Sequence, residues 1–100
     1  MNVVIVSRHH AAVEFIRQHA EQDMSSVPVI MDRDATADDV RGKIVYGNIP
    51  MHLAALAAKC CAIEFSGTPP RGREYTLQDM LAAGASISCY VVKKVDQPLF

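Results

Sequence analysis

The chain has 100 residues, of which half are apolar and 21% are charged, and its formal net charge is −1. This length and composition are typical of one folded domain and exclude a disordered chain. With 10 basic against 11 acidic residues, the chain lacks the excess of positive charge by which proteins bind DNA or RNA without sequence preference. The sequence therefore predicts a single domain over residues 1–100 and no DNA partner.

Strand and helix patterns alternate along the chain, which is typical of an α/β fold. Residues 3–6 are a continuous β-branched run, as expected for a strand that is covered on both faces. Apolar residues at helical spacing follow over residues 10–22. Residues 27–31 predict a second strand, and Pro28 indicates either an edge strand or the start of a strand. Residues 32–42 are polar and acidic, which indicates an exposed loop that could include one turn of helix.

The second half of the chain continues this alternation. Its predicted elements are a strand at 43–46, a helix at 50–60, a strand at 62–65, a helix at 76–83 and a strand at 86–92. The last helix begins at a sequence that resembles a capping box and ends before Gly84. The order β-α-β-β-α-β-α-β predicts a small, mostly parallel, Rossmann-like sheet of about five strands with three helices.

The three cysteines, Cys60, Cys61 and Cys89, are odd in number and two are adjacent. This pattern fits neither a disulfide framework nor a CxxC zinc site, so we expect reduced thiols, with Cys60 and Cys61 buried where a helix meets a strand. The apolar runs are too short to cross a membrane, and no signal-peptide pattern opens the sequence. We therefore expect a cytoplasmic protein with no membrane partner.

Loops that follow the strands are the candidates for a binding site, because mostly parallel sheets bind ligands beyond the carboxyl ends of their strands. The candidate loops are residues 7–10, residues 47–50 and residues 66–74. The first offers a hydroxyl, a cation and two imidazoles at a helix N-terminus, from Ser7, Arg8, His9 and His10. These groups suit phosphate binding and proton transfer. In the alternative, Arg8 pairs with an acid such as Glu14 and both histidines are solvated.

The second loop leads into the predicted helix that starts at Pro50, where a missing N–H group has no cost. Gly47 would let a ligand approach the backbone closely. Asn48 could donate to a phosphate or cap the helix. His52, in the first turn, could face either the ligand or the solvent.

The third loop carries Arg71, Arg73 and Glu74 in a flexible segment rich in glycine and proline. It could close over an anion, or it could be a solvated charged loop. A metal site is not expected, because adjacent histidines point in different directions and no Cys or Asp stands at ligand spacing. The sequence has no GxGxxG, P-loop or GxSxG motif, and no cofactor is expected.

Three linked motifs give the sequence a family resemblance. Residues 6–15, beginning Val-Ser-Arg-His, are similar to the pattern VSRH-x-GA-x-EW, residues 47–55 to G-x-LP-x-HLAA, and residues 71–75 to RGREL. In this order and spacing, over residues 3–92, the chain resembles the small CRISPR-associated accessory family called Csx sixteen. It departs from the pattern at His10 and Ala11, which replace Pro-Gly, at Phe15, which replaces Trp, and at Asn48, which replaces a small hydroxylic residue.

This resemblance implies a metal-independent ring nuclease of type III CRISPR signalling, with a fold like that of the messenger-sensing Rossmann-like domains. Such an enzyme cleaves cyclic tetra-adenylate by attack of a ribose 2′-OH and releases linear di-adenylates with 2′,3′-cyclic phosphate ends. The resemblance also implies a homodimer with the ligand at the two-fold interface.

The implied roles fall on the three loops. Arg8 and either Arg71 or Arg73 would bind and stabilise the phosphates, while His9 or His10 would transfer a proton or donate a hydrogen bond. Asn48 and the helix start near Pro50 would hold a second phosphate. Two alternatives stay open. The same pocket could sequester the cyclic messenger without cutting it, or the motifs could form a protein-interaction surface with no affinity for cyclic oligonucleotides.

Overall fold

The computed structural model describes residues 2–20, 22–69 and 74–96. Its elements, in chain order, are β1 (Val3–Val6), α1 (His10–His19), β2 (Val29–Ile30), α2 (Ala37–Val40), β3 (Ile44–Tyr46), α3 (Met51–Ala54), β4 (Lys59–Phe65), α4 (Leu77–Ala82) and β5 (Ala85–Tyr90). Arg71 and Arg73, two of the predicted site residues, lie outside the described residues.

The strands form one sheet in the order β2-β1-β3-β4-β5. All neighbouring pairs are parallel except β4 and β5, which are antiparallel. The predicted α/β class and the mostly parallel five-stranded sheet are therefore confirmed. The described part of the chain has four helices rather than the predicted three, because the acidic stretch after β2 includes the short helix α2. The Asp39 carboxylate accepts hydrogen bonds from the backbone N–H and the hydroxyl of Thr36, which stabilises this helix start.

Helices cover both faces of the sheet. Helices α1 and α4 pack on one face around a core that includes Ile5, Ile16 and Met80. Helices α2 and α3 pack on the other face around Val4, Val45 and Leu53. Full burial of each large aliphatic side chain contributes about 1.5–3 kcal/mol. These two cores fix the positions of β1 and β3, whose carboxyl ends form the candidate site.

The boundary between α3 and β4 differs from the prediction. The alanine-rich run favours a helix up to residue 60 by propensity alone, but α3 ends at Ala54 and β4 already begins at Lys59. Pairing with β3 is the reason, since Ile44 lies opposite Lys59 and Val45 opposite Cys60. Strand β4 therefore starts earlier than predicted, and Cys60 and Cys61 lie within it rather than at its junction with a helix.

A disulfide joins Cys61, which is fully buried on β4, to the exposed Cys89 on β5. The two residues lie directly opposite each other in the antiparallel ladder. The expectation of three reduced thiols is therefore wrong for this pair, because the sequence does not reveal that β4 and β5 are neighbours in this register. Cys60 keeps a free thiol and is buried as expected, and burial raises the pKa of this thiol.

The start and end of α4 agree with the prediction. The Thr76 hydroxyl accepts a hydrogen bond from the backbone N–H of Asp79, and the Asp79 carboxylate accepts one from the backbone N–H of Thr76. Gly84 follows the helix with φ of 73°. No helix among the described residues is both long enough and apolar enough to cross a membrane.

Candidate functional site

A cavity of about 630 Å³ lies at the carboxyl ends of the parallel strands. Seven of the predicted site residues line it: Ser7, Arg8, His9, Gly47, Asn48, Pro50 and His52. The structure thus brings the first and second predicted loops together at one end of the sheet. His10, the first residue of α1, is exposed and is not among the lining residues.

The loop after β1 is held by its own serine. The Ser7 hydroxyl accepts a hydrogen bond of 3.2 Å from the backbone N–H of His9, which stands at the N-cap position of α1. No side-chain hydrogen bond caps this helix, so the Ser7 hydroxyl acts on the loop before the helix. The result is a fixed turn that directs Arg8 and His9 towards the cavity.

Arg8 pairs with an acid that lies on a loop rather than on α1, where the suggested example Glu14 lies. Its Nη2 atom donates to Oδ1 of Asp34 at 2.7 Å. Asp34 lies between β2 and α2, so Arg8 does pair with an acid, as one alternative expected, but the acid is Asp34 rather than the suggested example Glu14. Both side chains are exposed, at 60% for Arg8 and 95% for Asp34. The guanidinium therefore stays accessible to an anionic ligand that enters the cavity.

His9 contacts the segment that follows the third predicted loop. Its Nδ1 atom lies 2.9 Å from Oε1 of Glu74, and its ring stacks on Tyr75 with 4.9 Å between centroids. Tyr75 in turn meets Phe65 edge to face, and both rings line the cavity. Burial raises the pKa of Tyr75, with a smaller contribution from the Glu74 charge. Glu74, predicted as a ligand-binding residue, therefore places its carboxylate against His9.

Gly47 has a structural reason to be glycine. Its φ is 138°, and a Cβ atom there would lie 1.9 Å from the backbone oxygen of Val6. The space that a side chain would need is filled by the end of β1, while Gly47 itself lines the cavity, so the close approach of a ligand stays a prediction. Val6 and Gly47, which make this close approach, both line the cavity.

Asn48 does not cap the following helix, because Pro50 occupies the cap position of α3. Its side-chain amide instead bridges to β4. The Nδ2 atom donates to the Ile63 oxygen at 3.2 Å, and Oδ1 accepts from the Ile63 N–H at 3.0 Å. Because β3 ends at Tyr46 while β4 continues to Phe65, the amide supplies the hydrogen bonds of the missing strand. His52 is exposed at the cavity rim.

Sequence reasoning missed the contribution of the segment between β2 and α2. Arg33, Asp34 and Ala35 all line the cavity. Arg33 forks onto the Asp39 carboxylate, with Nη1 at 2.7 Å from Oδ2 and Nη2 at 3.1 Å from Oδ1. These hydrogen bonds hold the pKa of Asp39 well below its ordinary value and raise that of Arg33. The one signal in the sequence was a single arginine within an acidic run.

The family model described as "Putative CRISPR-associated protein (Cas_VVA1548)" matches residues 4–93 of the chain. The chain belongs to this CRISPR-associated family. No curated protein and no solved structure matches it. The matched region includes both loops that meet at the cavity, together with the strands that position them.

In this CRISPR-associated protein the cavity lining combines cations with aromatic rings. Arg8, Arg33 and two imidazoles line the cavity together with the aromatic rings of Phe65 and Tyr75. No group of three or more His, Cys, Asp or Glu side chains within residues 2–20, 22–69 and 74–96 is arranged to hold a metal ion. The arrangement can bind an anion such as a phosphate, pack a planar group beside it and place an imidazole near both.

Proposed function

We propose that this protein is a metal-independent ring nuclease that cleaves cyclic tetra-adenylate into linear di-adenylates with 2′,3′-cyclic phosphate ends. Such cleavage would switch off type III CRISPR signalling. The observation that carries the proposal is the placement of Arg8 and His9 side by side in one cavity at the carboxyl end of the sheet. Membership of a CRISPR-associated family supports the biological setting.

The chemistry of the substrate fits these groups. A ribose 2′-OH lies next to each phosphate, so the substrate carries its own nucleophile and the protein must align it. The 2′-oxygen bonds to phosphorus while the bond from phosphorus to the 5′-oxygen breaks. Arg8 would stabilise the charge that grows on the phosphate oxygens, and the accessible guanidinium described above allows this.

The size of the cavity supports a homodimer as part of the proposal. Pockets of roughly 300–1,000 Å³ hold drug-sized molecules, and a ring of four nucleotides is considerably larger than these. A cavity of about 630 Å³ therefore suits part of the ring rather than all of it. Two copies related by a two-fold axis could enclose one ring, with each copy contributing the same residues. The Rossmann-like relation to messenger-sensing domains belongs to the same proposal, as do the roles of Arg71 and Arg73.

The test is incubation of the purified protein with radiolabelled cyclic tetra-adenylate in the presence of EDTA, followed by separation of the products. We expect linear di-adenylates, and a single-turnover rate at least about tenfold lower in Arg8→Ala. Arg41→Ala is the matched control, since Arg41 pairs with Asp38 and does not line the cavity. An unchanged rate in Arg8→Ala would remove Arg8 from the mechanism.

Two other outcomes identify the alternative functions. An intact ring that nevertheless binds tightly would indicate sequestration of the messenger rather than cleavage. Absence of both cleavage and binding would favour a protein-interaction subunit. Neither outcome is compatible with a ring nuclease.

A further inference from the structure

The hydrogen bond between His9 and Glu74 joins a cavity-lining imidazole to a carboxylate 65 positions later in the chain. We propose that Glu74 is a positioning residue that fixes the tautomer and orientation of His9, so that Nε2 of His9 is the general base for the 2′-OH. This inference rests on the proposed function, and it assigns the proton transfer to one atom of one histidine.

Three contacts fix the position of His9. The Ser7 hydroxyl accepts from its backbone N–H, Glu74 lies 2.9 Å from Nδ1, and the half-buried Tyr75 ring stacks on its imidazole with an angle of 29° between the planes. Ser7 therefore holds the backbone of His9, Glu74 holds one edge of its imidazole and Tyr75 covers one face. Within the described part of the chain, no residue forms a hydrogen bond with Nε2 of His9, which leaves this nitrogen for a ligand in the cavity.

The carboxylate decides which nitrogen carries the proton. A carboxylate only accepts hydrogen bonds, so in the neutral imidazole the proton sits on Nδ1 and donates to Glu74. Nε2 then holds the lone pair that a general base requires. Without Glu74, nothing described in the structure holds the proton on Nδ1.

In each cleavage, His9 moves one proton from the substrate to solvent. Nε2 of His9 takes the proton of the 2′-OH as the 2′-oxygen bonds to phosphorus, and the bond from phosphorus to the 5′-oxygen breaks. The departing 5′-oxygen takes a proton from water. The imidazolium, stabilised by the Glu74 carboxylate, returns its proton to solvent and restores the enzyme.

The neighbouring histidine lacks this environment. His10 is exposed as the first residue of α1 and is not among the residues that line the cavity. The sequence left the choice between His9 and His10 open, and the Glu74 contact selects His9.

The first experiment measures the His9 tautomer by ¹⁵N NMR in the ligand-free protein, where cleavage plays no part. We expect the Nδ1–H form in the wild type. Glu74→Gln should retain this form, because its amide oxygen still accepts from Nδ1–H, whereas Glu74→Ala should lose it. Glu14→Ala is the control, since Glu14 is an exposed acid on α1 that hydrogen-bonds only Gln18 among the described residues.

The second experiment measures single-turnover cleavage of cyclic tetra-adenylate. His9→Ala should lower the rate by about a hundredfold or more and Glu74→Ala by about tenfold or more, while His10→Ala and Glu14→Ala should leave it unchanged. The double variant His9→Ala with Glu74→Ala should be no slower than His9→Ala alone, because Glu74 acts through His9. Thermal melting of each variant checks that it is folded.

The outcomes separate this inference from the proposed function. A wild type that cleaves the ring while Glu74→Ala keeps both its rate and its tautomer would overturn the positioning role and leave the ring nuclease standing. A Glu74→Ala defect that adds fully to that of His9→Ala would also overturn it. A wild type that leaves the ring intact would contradict the proposed function, and the catalytic role of His9 with it, whatever the tautomer.

Discussion

Nη2 of Arg8 lies 2.7 Å from Oδ1 of Asp34, so a carboxylate of this chain occupies the position where the cavity would receive an anion. Exposed ion pairs of this kind contribute only about 0–1 kcal/mol to stability. A ligand phosphate, which forms charge-assisted hydrogen bonds with the same guanidinium, can therefore displace Asp34. We therefore expect Asp34 to compete with such a ligand for Arg8 rather than to act as a structural anchor.

Asp34→Asn should therefore tighten the binding of cyclic tetra-adenylate several-fold, while the free energy of unfolding changes by less than about 0.5 kcal/mol. Isothermal titration calorimetry and urea unfolding measure the two effects. The matched control is Asp38→Asn, which removes the same charge from an exposed pair away from the cavity. Equal tightening in both variants would show that net charge alone, and not the Arg8 contact, sets the affinity.

Gly47→Ala should destabilise the fold by on the order of 3 kcal/mol or more, because the new Cβ would overlap the backbone oxygen of Val6 and φ lies at 138°. Gly42→Ala is the control for φ alone, since Gly42 has φ of 72° and no atom within 4 Å of an added Cβ. Gly42→Ala should lower the free energy of unfolding by roughly 1 kcal/mol. Urea unfolding of the two variants measures the difference, and equal losses would contradict the proposed overlap.

Reduction of the Cys61–Cys89 disulfide should lower the free energy of unfolding by roughly 3 kcal/mol, because the bond closes a loop in the unfolded chain. The two cysteines are separated by 28 positions in the sequence. Thermal melting with and without a thiol reductant measures the effect, and Cys89→Ser should be insensitive to the reductant. If alkylation of the non-reduced wild type under denaturing conditions modifies all three cysteines, the disulfide is absent in solution.

Asp39 should make stability depend on pH in the acidic range. The Arg33 hydrogen bonds, followed by the Thr36 N–H, hold its pKa well below the ordinary value of 3.8. A carboxyl group whose pKa is lower in the folded chain than in the unfolded chain stabilises the fold at any pH above its pKa in the unfolded chain. This contribution is lost as the pH falls from that value towards the pKa in the folded chain. The stability difference between wild type and Asp39→Asn should therefore be constant from about pH 7 to 5 and shrink below about pH 4. Urea unfolding at a series of pH values tests this, and a difference that grows in acid would contradict it.

The sequence predicted which strands and helices form better than it predicted where they begin and which distant residues they bring together. The β-branched run at Val3–Val6 and the capped helix at Leu77–Ala82 depend on local signals, and both were found. The start of β4 at Lys59 depends on pairing with Ile44, and the Cys61–Cys89 disulfide depends on the β4–β5 register. Both contacts join residues distant in sequence, so local propensity could not reveal them.

The candidate site was predictable where its residues follow strands directly. Ser7, Arg8 and His9 continue β1, and the rule that ligands bind at the carboxyl ends of strands placed them correctly at the cavity. Arg33 and Asp34 were missed because an acidic run has the composition of a solvated loop. The Glu74 contact was missed because it joins positions 65 residues apart.

The side chain of Asn48 makes the two hydrogen bonds to Ile63 that the backbone of a longer β3 would make. This role determines which residues position 48 can accept. Only a group with both a donor and an acceptor satisfies the Ile63 N–H and oxygen together, so an amide or a hydroxyl is suitable whereas a carboxylate or an aliphatic chain is not. A carboxylate or an aliphatic side chain at this position would leave the N–H or the oxygen of Ile63 without its Asn48 partner, while β4 would stay paired with β5. One amide thus lets β3 end at Tyr46, beside the cavity, while the Ile63 N–H and oxygen keep their hydrogen bonds.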